Sequence, residues 1–354
     1  MGCTPWELLL RLHPMVGPPT LVHRRPRPWW YTRGKPGSMR RMDPLRLIAD
    51  DLGFFTRAMA REVGYGDREV REMMREKIWK RVRRGYYVFT DVWSDLDAEA
   101  RHLTMCRCVL HSLGDAVALS HVSGAVAHGL STWNCALDRV HVTRLDGGAG
   151  RLEAGVVHHE GLCLDTDVIE VDGMRVLTPA RCALETGSLG TGEAALVVLD
   201  SALFRELTTE VQLLEQFQLM STWPRMRHLH IPVRMATPLS QSAGESRGRW
   251  LFWTLGLPAP HCQYEVHDAE GTVVATCDWG WPGLGVLGEF DGRQKYGRLL
   301  KPGQEPGDVV FAEKRREDLV RELTGMGMIR LVWDDFDRPR VTRARLLRML
   351  RSAG

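Results

Sequence analysis

The sequence predicts an α+β multidomain protein, and three observations carry that expectation. Residues 43–90 pattern as three short helices followed by a basic hairpin, residues 91–235 mix strands with helices as an α/β middle domain, and residues 240–350 run helix, three strands, helix, strand. Apolar residues recurring every three to four positions mark the helices, and strict alternation marks the strands. At 354 residues the chain has room for two or three domains of ordinary size. Its composition, 44% apolar and 26% charged, is that of a globular protein. No run approaches the roughly 18–20 apolar residues that span a bilayer as a helix, so no membrane partner is expected.

The net charge of +3 is unevenly placed. Residues 1–41 hold eight Lys/Arg against Glu7 alone, which leaves 39 basic and 43 acidic residues elsewhere, a net of −4. A nucleic-acid partner must therefore be argued from local patches and not from overall basicity. Seven prolines and three tryptophans also crowd residues 1–41, and no apolar period runs further than Trp6–Leu12. That stretch is expected to lie outside the fold, as a disordered extension or the product of an upstream start. Trp6–Leu10 is too short and poorly flanked for a signal peptide. The eight cysteines (3, 106, 108, 135, 163, 182, 262 and 277) form no Cys-x-x-Cys, and Cys106-x-Cys108 lacks a second pair for zinc. Reduced, mostly buried thiols in a cytoplasmic protein are the expectation.

Asp43 and Pro44 open a first helix over Leu45–Asp51, and Gly53 stops it. Thr56 N-caps Arg57–Val63, which ends at Gly64; Asp67 caps a third helix reaching about Lys77, with Val70, Met73, Met74 and Ile78 inward. Trp79–Phe89 then alternates as a hairpin that turns at Arg84-Gly85. Three helices and a basic ribbon describe a winged helix-turn-helix, whose third helix enters the major groove while the wing meets phosphates. Eight basic residues between Asp67 and Arg84 face four acids: Arg68, Arg71 and Arg75 share one helical face, and Lys80, Arg81, Arg83 and Arg84 lie on the ribbon. Such a cluster neutralises several phosphates and makes affinity salt-dependent. The competing reading is a solvated helix face with charge pairing at i,i+3 and i,i+4.

The runs Phe55–Ala60 to Gly64-Tyr65 and Arg81–Tyr87 make this part similar to the N-terminal domain of AbiEi-type proteins, the antitoxin-repressors of type IV toxin–antitoxin systems. Leu119–Leu130, Val140–Thr143 and Val176–Glu185 extend the resemblance to about residue 205. It implies DNA as a partner, and a separately encoded toxin as another, because no nucleotidyltransferase signature occurs in this chain.

In the middle region Ser120 N-caps a helix to Leu130, placing His121 and His128 seven apart. Gly124, Ala125 and Ala127 permit close packing, so locally bonded histidines are expected in preference to an acid–base pair. Strands follow at Arg139–Thr143, Val156–His159 and Val168–Val171, and Asp172-Gly173 turns into Met174–Leu177. Thr178-Pro179 starts a helix. His158-His159-Glu160 is set aside as a joint metal site, because neighbours on a strand point to opposite faces. Helices are expected over 192–205 and 209–227, the second with a core stripe of Val211, Leu214, Phe217 and Gln218.

Two short strands further on carry Cys277-Asp278-Trp279 and Gly288-Glu289-Phe290-Asp291. Alternation puts Glu289 and Asp291 on one face and Phe290 on the other, and a strand ending in Asp278 adds a third carboxylate. Three uncompensated acids invite a divalent cation, and hard oxygen donors suit magnesium, with manganese as a substitute. Together with Ser242–Arg247, Gly256-Leu257-Pro258, the helix at Glu313–Leu319 and the strand Met328–Trp333, this segment resembles the core of the PD-(D/E)XK nucleases, most of all the branch related to very-short-patch repair endonucleases. The resemblance implies an αβββαβ fold and magnesium-dependent phosphodiester hydrolysis. Asp278, Glu289 and Asp291 would be the metal ligands, Glu245 an additional acid, and Lys314 and Arg316 contacts to the DNA backbone. The superfamily pattern has Glu-x-Lys where this chain has Asp291, so Lys295, a turn further on, must supply the lysine. Two functions follow: a metal-dependent endonuclease steered by a winged helix, or an AbiEi-type repressor whose C-terminal fold is inert.

Overall fold

The structure is a computed structural model that describes residues 43–292 and 306–352, with the backbone alone at 306–314 and 351–352. Helix α1 (Pro44–Leu52) buries Leu45, and a two-residue strand β1 (Phe55–Thr56) leads into α2 (Arg57–Glu62). Thr56 acts as the N-cap, its hydroxyl accepting from Met59 N–H at 3.2 Å. Helix α3 (Asp67–Arg75) is N-capped by Gly66, which corrects the assignment of Asp67. Asp67 is instead the first helical residue, and its carboxylate is held by Arg57 and Arg61, each at 2.8 Å. Strands β2 (Trp79–Arg83) and β3 (Tyr86–Phe89) turn at Arg84-Gly85, where Gly85 takes φ +84°. A side chain there would be strained. β3 lies between β1 and β2, and the small core is Leu45, Phe55, Ala60, Val70, Trp79 and Phe89. This is the winged-helix order of elements.

The hairpin's other face is not left to solvent. Phe54, Tyr86 and Val88 pack on Cys108 of α5 (Ala98–Leu113), which follows α4 (Thr90–Asp95). The Tyr86 hydroxyl hydrogen-bonds His111 Nδ1 at 2.9 Å. After α5 come β4 (Val117–Leu119), α6 (His121–Ala127), β5 (Val140–Arg144), β6 (Arg151–Glu153), β7 (Val156–His159), β8 (Val168–Val171) and β9 (Met174–Leu177). They form a six-stranded sheet in the order β6-β7-β5-β4-β9-β8, with β5 parallel to β7 and β4 parallel to β9. Asp172-Gly173 turns β8 into β9 with φ of +47° and +73°, the paired positive values of a tight hairpin turn. Helices α7 (Pro179–Leu189), α8 (Gly192–Phe204), α9 (Glu210–Met220) and α10 (His230–Met235) complete this lobe.

Three expectations are corrected here. Helix α6 ends at Ala127, before Leu130, and α9 ends at Met220, before Arg227. The α9 core face is Leu213, Phe217 and Met220, which recur at i, i+4 and i+7; Val211 and Leu214 stay 64% and 43% exposed. Both phases contain Phe217, so the apolar count alone did not choose between them.

The last lobe opens with α11 (Ala243–Thr254), then β10 (His261–His267), β11 (Val273–Trp281) and β12 (Val286–Phe290). Helix α12 (Pro306–Thr324), β13 (Gly327–Leu331), α13 (Trp333–Asp337) and α14 (Pro339–Ser352) follow. The sheet order is β10-β11-β12-β13, antiparallel through β12 and parallel between β12 and β13. The final strand stops at Leu331, short of the expected Trp333; Trp333 sits on α13 and packs edge-on against Phe290, ring centroids 4.8 Å apart.

Helix α11 serves two cores at once. A Cβ at Gly244 would enter the Phe290 ring, and one at Gly248 the Trp279 ring, so these glycines let the sheet press against the helix backbone. On its other flanks Arg249 pairs with the fully buried Asp200 of α8 at 2.9 Å, and Arg247 pairs with Glu193 at 2.7 Å. Asp200 also accepts from Thr237 N–H at 2.9 Å. Packing thus crosses residues 235–240, and the described residues from Pro44 onward fall within one compact unit. Removing one member of a buried ion pair strands the other's charge. Asp200→Ala is therefore expected to lower unfolding free energy by about 3–5 kcal/mol, read from urea denaturation, whereas Glu193→Ala, partly exposed, should cost clearly less.

Candidate functional site

The described part of the chain offers three polar constellations. The first is the outer face of α3. Val70, Met73 and Met74 turn inward, and at 100° per residue Arg68, Arg71 and Arg75 fall together on the opposite side, all exposed. Arg75 makes an exposed 3.4 Å contact with Glu72, too weak to withdraw it from solvent. Arg81 and Arg84 on the wing are exposed, and Lys80 stands over the Trp93 ring at 5.4 Å. Arg83 differs: its guanidinium donates to the Ala154 carbonyl at 3.0 Å, in the β6–β7 turn. The structure therefore gives Arg83 a role in seating the wing on the middle lobe.

The second constellation is the acidic row of the last lobe. Register places Asp278 opposite Glu289, one step beyond the Trp279–Gly288 pair, and opposite Gln263 on its other side. Asp278 accepts from Phe290 N–H at 2.7 Å. Glu289 is not uncompensated as the sequence reading supposed: Arg316 reaches it at 2.5 Å and Arg330 at 3.5 Å. Arg316, expected on DNA, is thus occupied within the lobe. Glu245 is buried at the start of α11, where Ser242 Oγ, Gln241 N–H and Gln263 Nε2 donate to it at 2.7, 2.9 and 3.1 Å. Ser242-x-x-Glu245 is a capping arrangement, in which the acid holds the helix start. Asp291 N–H donates to Leu331 O at 2.8 Å. Lys295 lies outside the described residues, and so does the side chain of Lys314, whose backbone belongs to α12.

The third constellation was missed. His121, His141 and His159 each place a ring nitrogen within 4.8 Å of the others, the single such group of three among the described residues. His141 Nδ1 lies 2.9 Å from His159 Nε2, and the His121 and His159 rings stack with centroids 3.6 Å apart. Glu185 Oε2 takes the His121 backbone N–H and lies 3.2 Å from its Nδ1. Glu185 is itself held by Arg181 at 2.9 Å, and Arg181 by Asp167 at 2.7 Å. His158, on the opposite face of β7 as expected, takes no part in the group. His128 bonds the Leu177 carbonyl of β9 at 2.7 Å, a structural role whose partner is distant in sequence and not the local one expected. The signal that could have found the group is the parallel pairing of β5 with β7, which puts His141 and His159 on one face.

The helix order and charged face of residues 43–90 are those of the winged helix-turn-helix class. Residues 42–90 match the AbiEi_4 family, described as transcriptional regulator, AbiEi antitoxin. No curated protein matches the chain. Among the described residues, no helix is long and apolar enough to cross a membrane, and the seven described cysteines are free thiols.

Burial pushes His121 and His141 down to about 3 and His159 to about 4. These rings are neutral in the folded state, whereas unfolded histidines protonate near pH 6.5. The unfolded chain then binds more protons below that pH, so stability falls as pH drops from about 6.5 towards 4. Denaturation midpoints measured in chelator between pH 7.5 and 4.5 should show this loss, and replacing His141 and His159 together by glutamine should flatten it.

Proposed function

We propose that the chain is a DNA-binding transcriptional regulator of the AbiEi antitoxin kind, with a separately encoded toxin as its partner. The observation that carries this reading is the exposed Arg68–Arg71–Arg75 face of α3, within the segment that matches the regulator family. In this reading residues 43–90 read DNA, residues 91–235 form the middle domain, and residues 240–350 form a PD-(D/E)XK-like domain. Each arginine that neutralises a phosphate releases about 0.9 of a counterion from duplex DNA. Anisotropy titrations on duplexes selected by the protein from a random pool should give a log K against log salt slope. Arg68→Ala, Arg71→Ala and Arg75→Ala combined should reduce that slope by about 2.7, while Arg83→Ala, bound to Ala154, should leave it unchanged. An unaltered slope in the triple variant would sink the assignment of α3.

One observation favours a second reading, hydrolysis of phosphodiesters by the C-terminal domain. Its helix, three-strand, helix, strand order brings Gln263, Asp278 and Glu289 into one cross-strand row beside Glu245. Asp278 and Glu289 would hold a magnesium or manganese ion, which supplies an activated water when bound. The fit is contested, because Arg316 and Arg330 already neutralise Glu289 and Asp291 stands where a lysine is expected. With supercoiled plasmid and either cation, Asp278→Asn and Glu289→Gln should each reduce nicking by at least about 100-fold. Equal nicking by wild type and both variants, or none by any, rejects hydrolysis.

A further inference from the structure

We propose that the middle lobe binds one divalent transition-metal ion of the zinc class on His121, His141 and His159. The ligands come from three elements that the fold brings together: the N-terminus of α6, β5 and β7. Tetrahedral zinc with bonds of about 2.0–2.1 Å holds its donors about 3.3 Å apart. The His141–His159 nitrogen pair at 2.9 Å is already close to that spacing, and every pair lies within 4.8 Å. Rotation of an imidazole out of its stack covers the remainder.

Four features point to a ligand and not to three histidines filling space. His121 is held at φ +49° at the start of a helix, a conformation that costs energy for any residue bearing a Cβ and concentrates at functional positions. Glu185 accepts the backbone N–H of that residue, and the His121 Nδ1 hydrogen-bonds Ser120 Oγ at 3.1 Å with Glu185 Oε2 3.2 Å away, which leaves Nε2 for an ion. A carboxylate behind a ligating histidine is the usual outer support of a metal site. On the sheet face shared by His141 and His159, Thr143 stands in register with His159, and its buried hydroxyl has no hydrogen-bond partner. Such groups are rare unless water or an ion completes them. Finally, Glu185 and Asp167 flank Arg181 and leave that triad one negative charge in excess, partly offsetting a dication. Three imidazoles without a carboxylate ligand suit zinc, cobalt, nickel or copper, and not magnesium. Three protein ligands leave a fourth position open.

The test uses the full-length chain without a histidine tag, stripped with chelator and titrated with cobalt(II) as a coloured stand-in for zinc. The expected result is one equivalent bound, with the intense visible bands of four-coordinate cobalt, displaced by zinc. His141→Gln and His159→Gln should each weaken binding at least about 100-fold, and Glu185→Gln about 10–100-fold. His261→Ala, an exposed histidine on β10, should change nothing. No stoichiometric binding by wild type, or equal affinity in the His141 and His159 variants, overturns the site. Should those variants fail to fold, X-ray absorption of zinc-loaded wild type decides: imidazole scattering at about 2.0 Å supports the site, and an all-oxygen shell overturns it.

Discussion

The buried pair between Arg249 on α11 and Asp200 on α8 is the constraint on which the larger part of the molecule depends. Both charges leave water on folding, and their desolvation is tolerable only while each meets the other and its further hydrogen bonds. Arg249 also donates to the Met235 carbonyl, and Asp200 accepts from Thr237, so the segment joining the two lobes closes over the pair. The glycine flank of the same helix is meanwhile committed to Trp279 and Phe290. A helix with a polar flank locked to one lobe and a bare flank locked to the next has little freedom to rotate or slide. The position of the acidic row, on the strands that carry Trp279 and Phe290, inherits that definition.

Arginine environment decides what each basic residue is available to do. On α3 the guanidinium groups face solvent and meet at most a weak partner, which leaves them open to an anion. Arg83, Arg316 and Arg330 read identically in the sequence, but each is engaged within the fold. Arg181 is the extreme case: buried, doubly paired and stacked 5.1 Å from the Trp223 ring. Counting basic residues along the chain therefore overstates the positive surface.

Local chemistry was legible in advance; long-range register was not. Thr56 capping, the Asp172-Gly173 turn and the alternation of β5, β7 and β9 rest on neighbours in sequence and were read from them. Asp67 was displaced by one position because Gly66 took the cap. The α9 face was misread because two helical phases of similar apolarity share Phe217. Glu245 drew a catalytic reading, although Ser242-x-x-Glu245 is equally a helix-start signature, and its hydrogen bonds are those of the helix start. The histidine group needed the knowledge that β5 pairs with β7 and that α6 begins beside them. Nothing within a few residues of His121, His141 or His159 encodes that meeting.

Arg247 is clasped by Trp133 of the middle lobe and by Phe336 of the last, each ring centroid 4.1 Å from the guanidinium carbon. A side chain with neighbours of such different origin ties the histories of two lobes together. Their junction looks like a convenient crossover point for recombination, yet a foreign C-terminal lobe joined there would arrive without partners for Asp200, Glu193 and Trp133. A chimera that keeps these pairs must carry α8 along with α11.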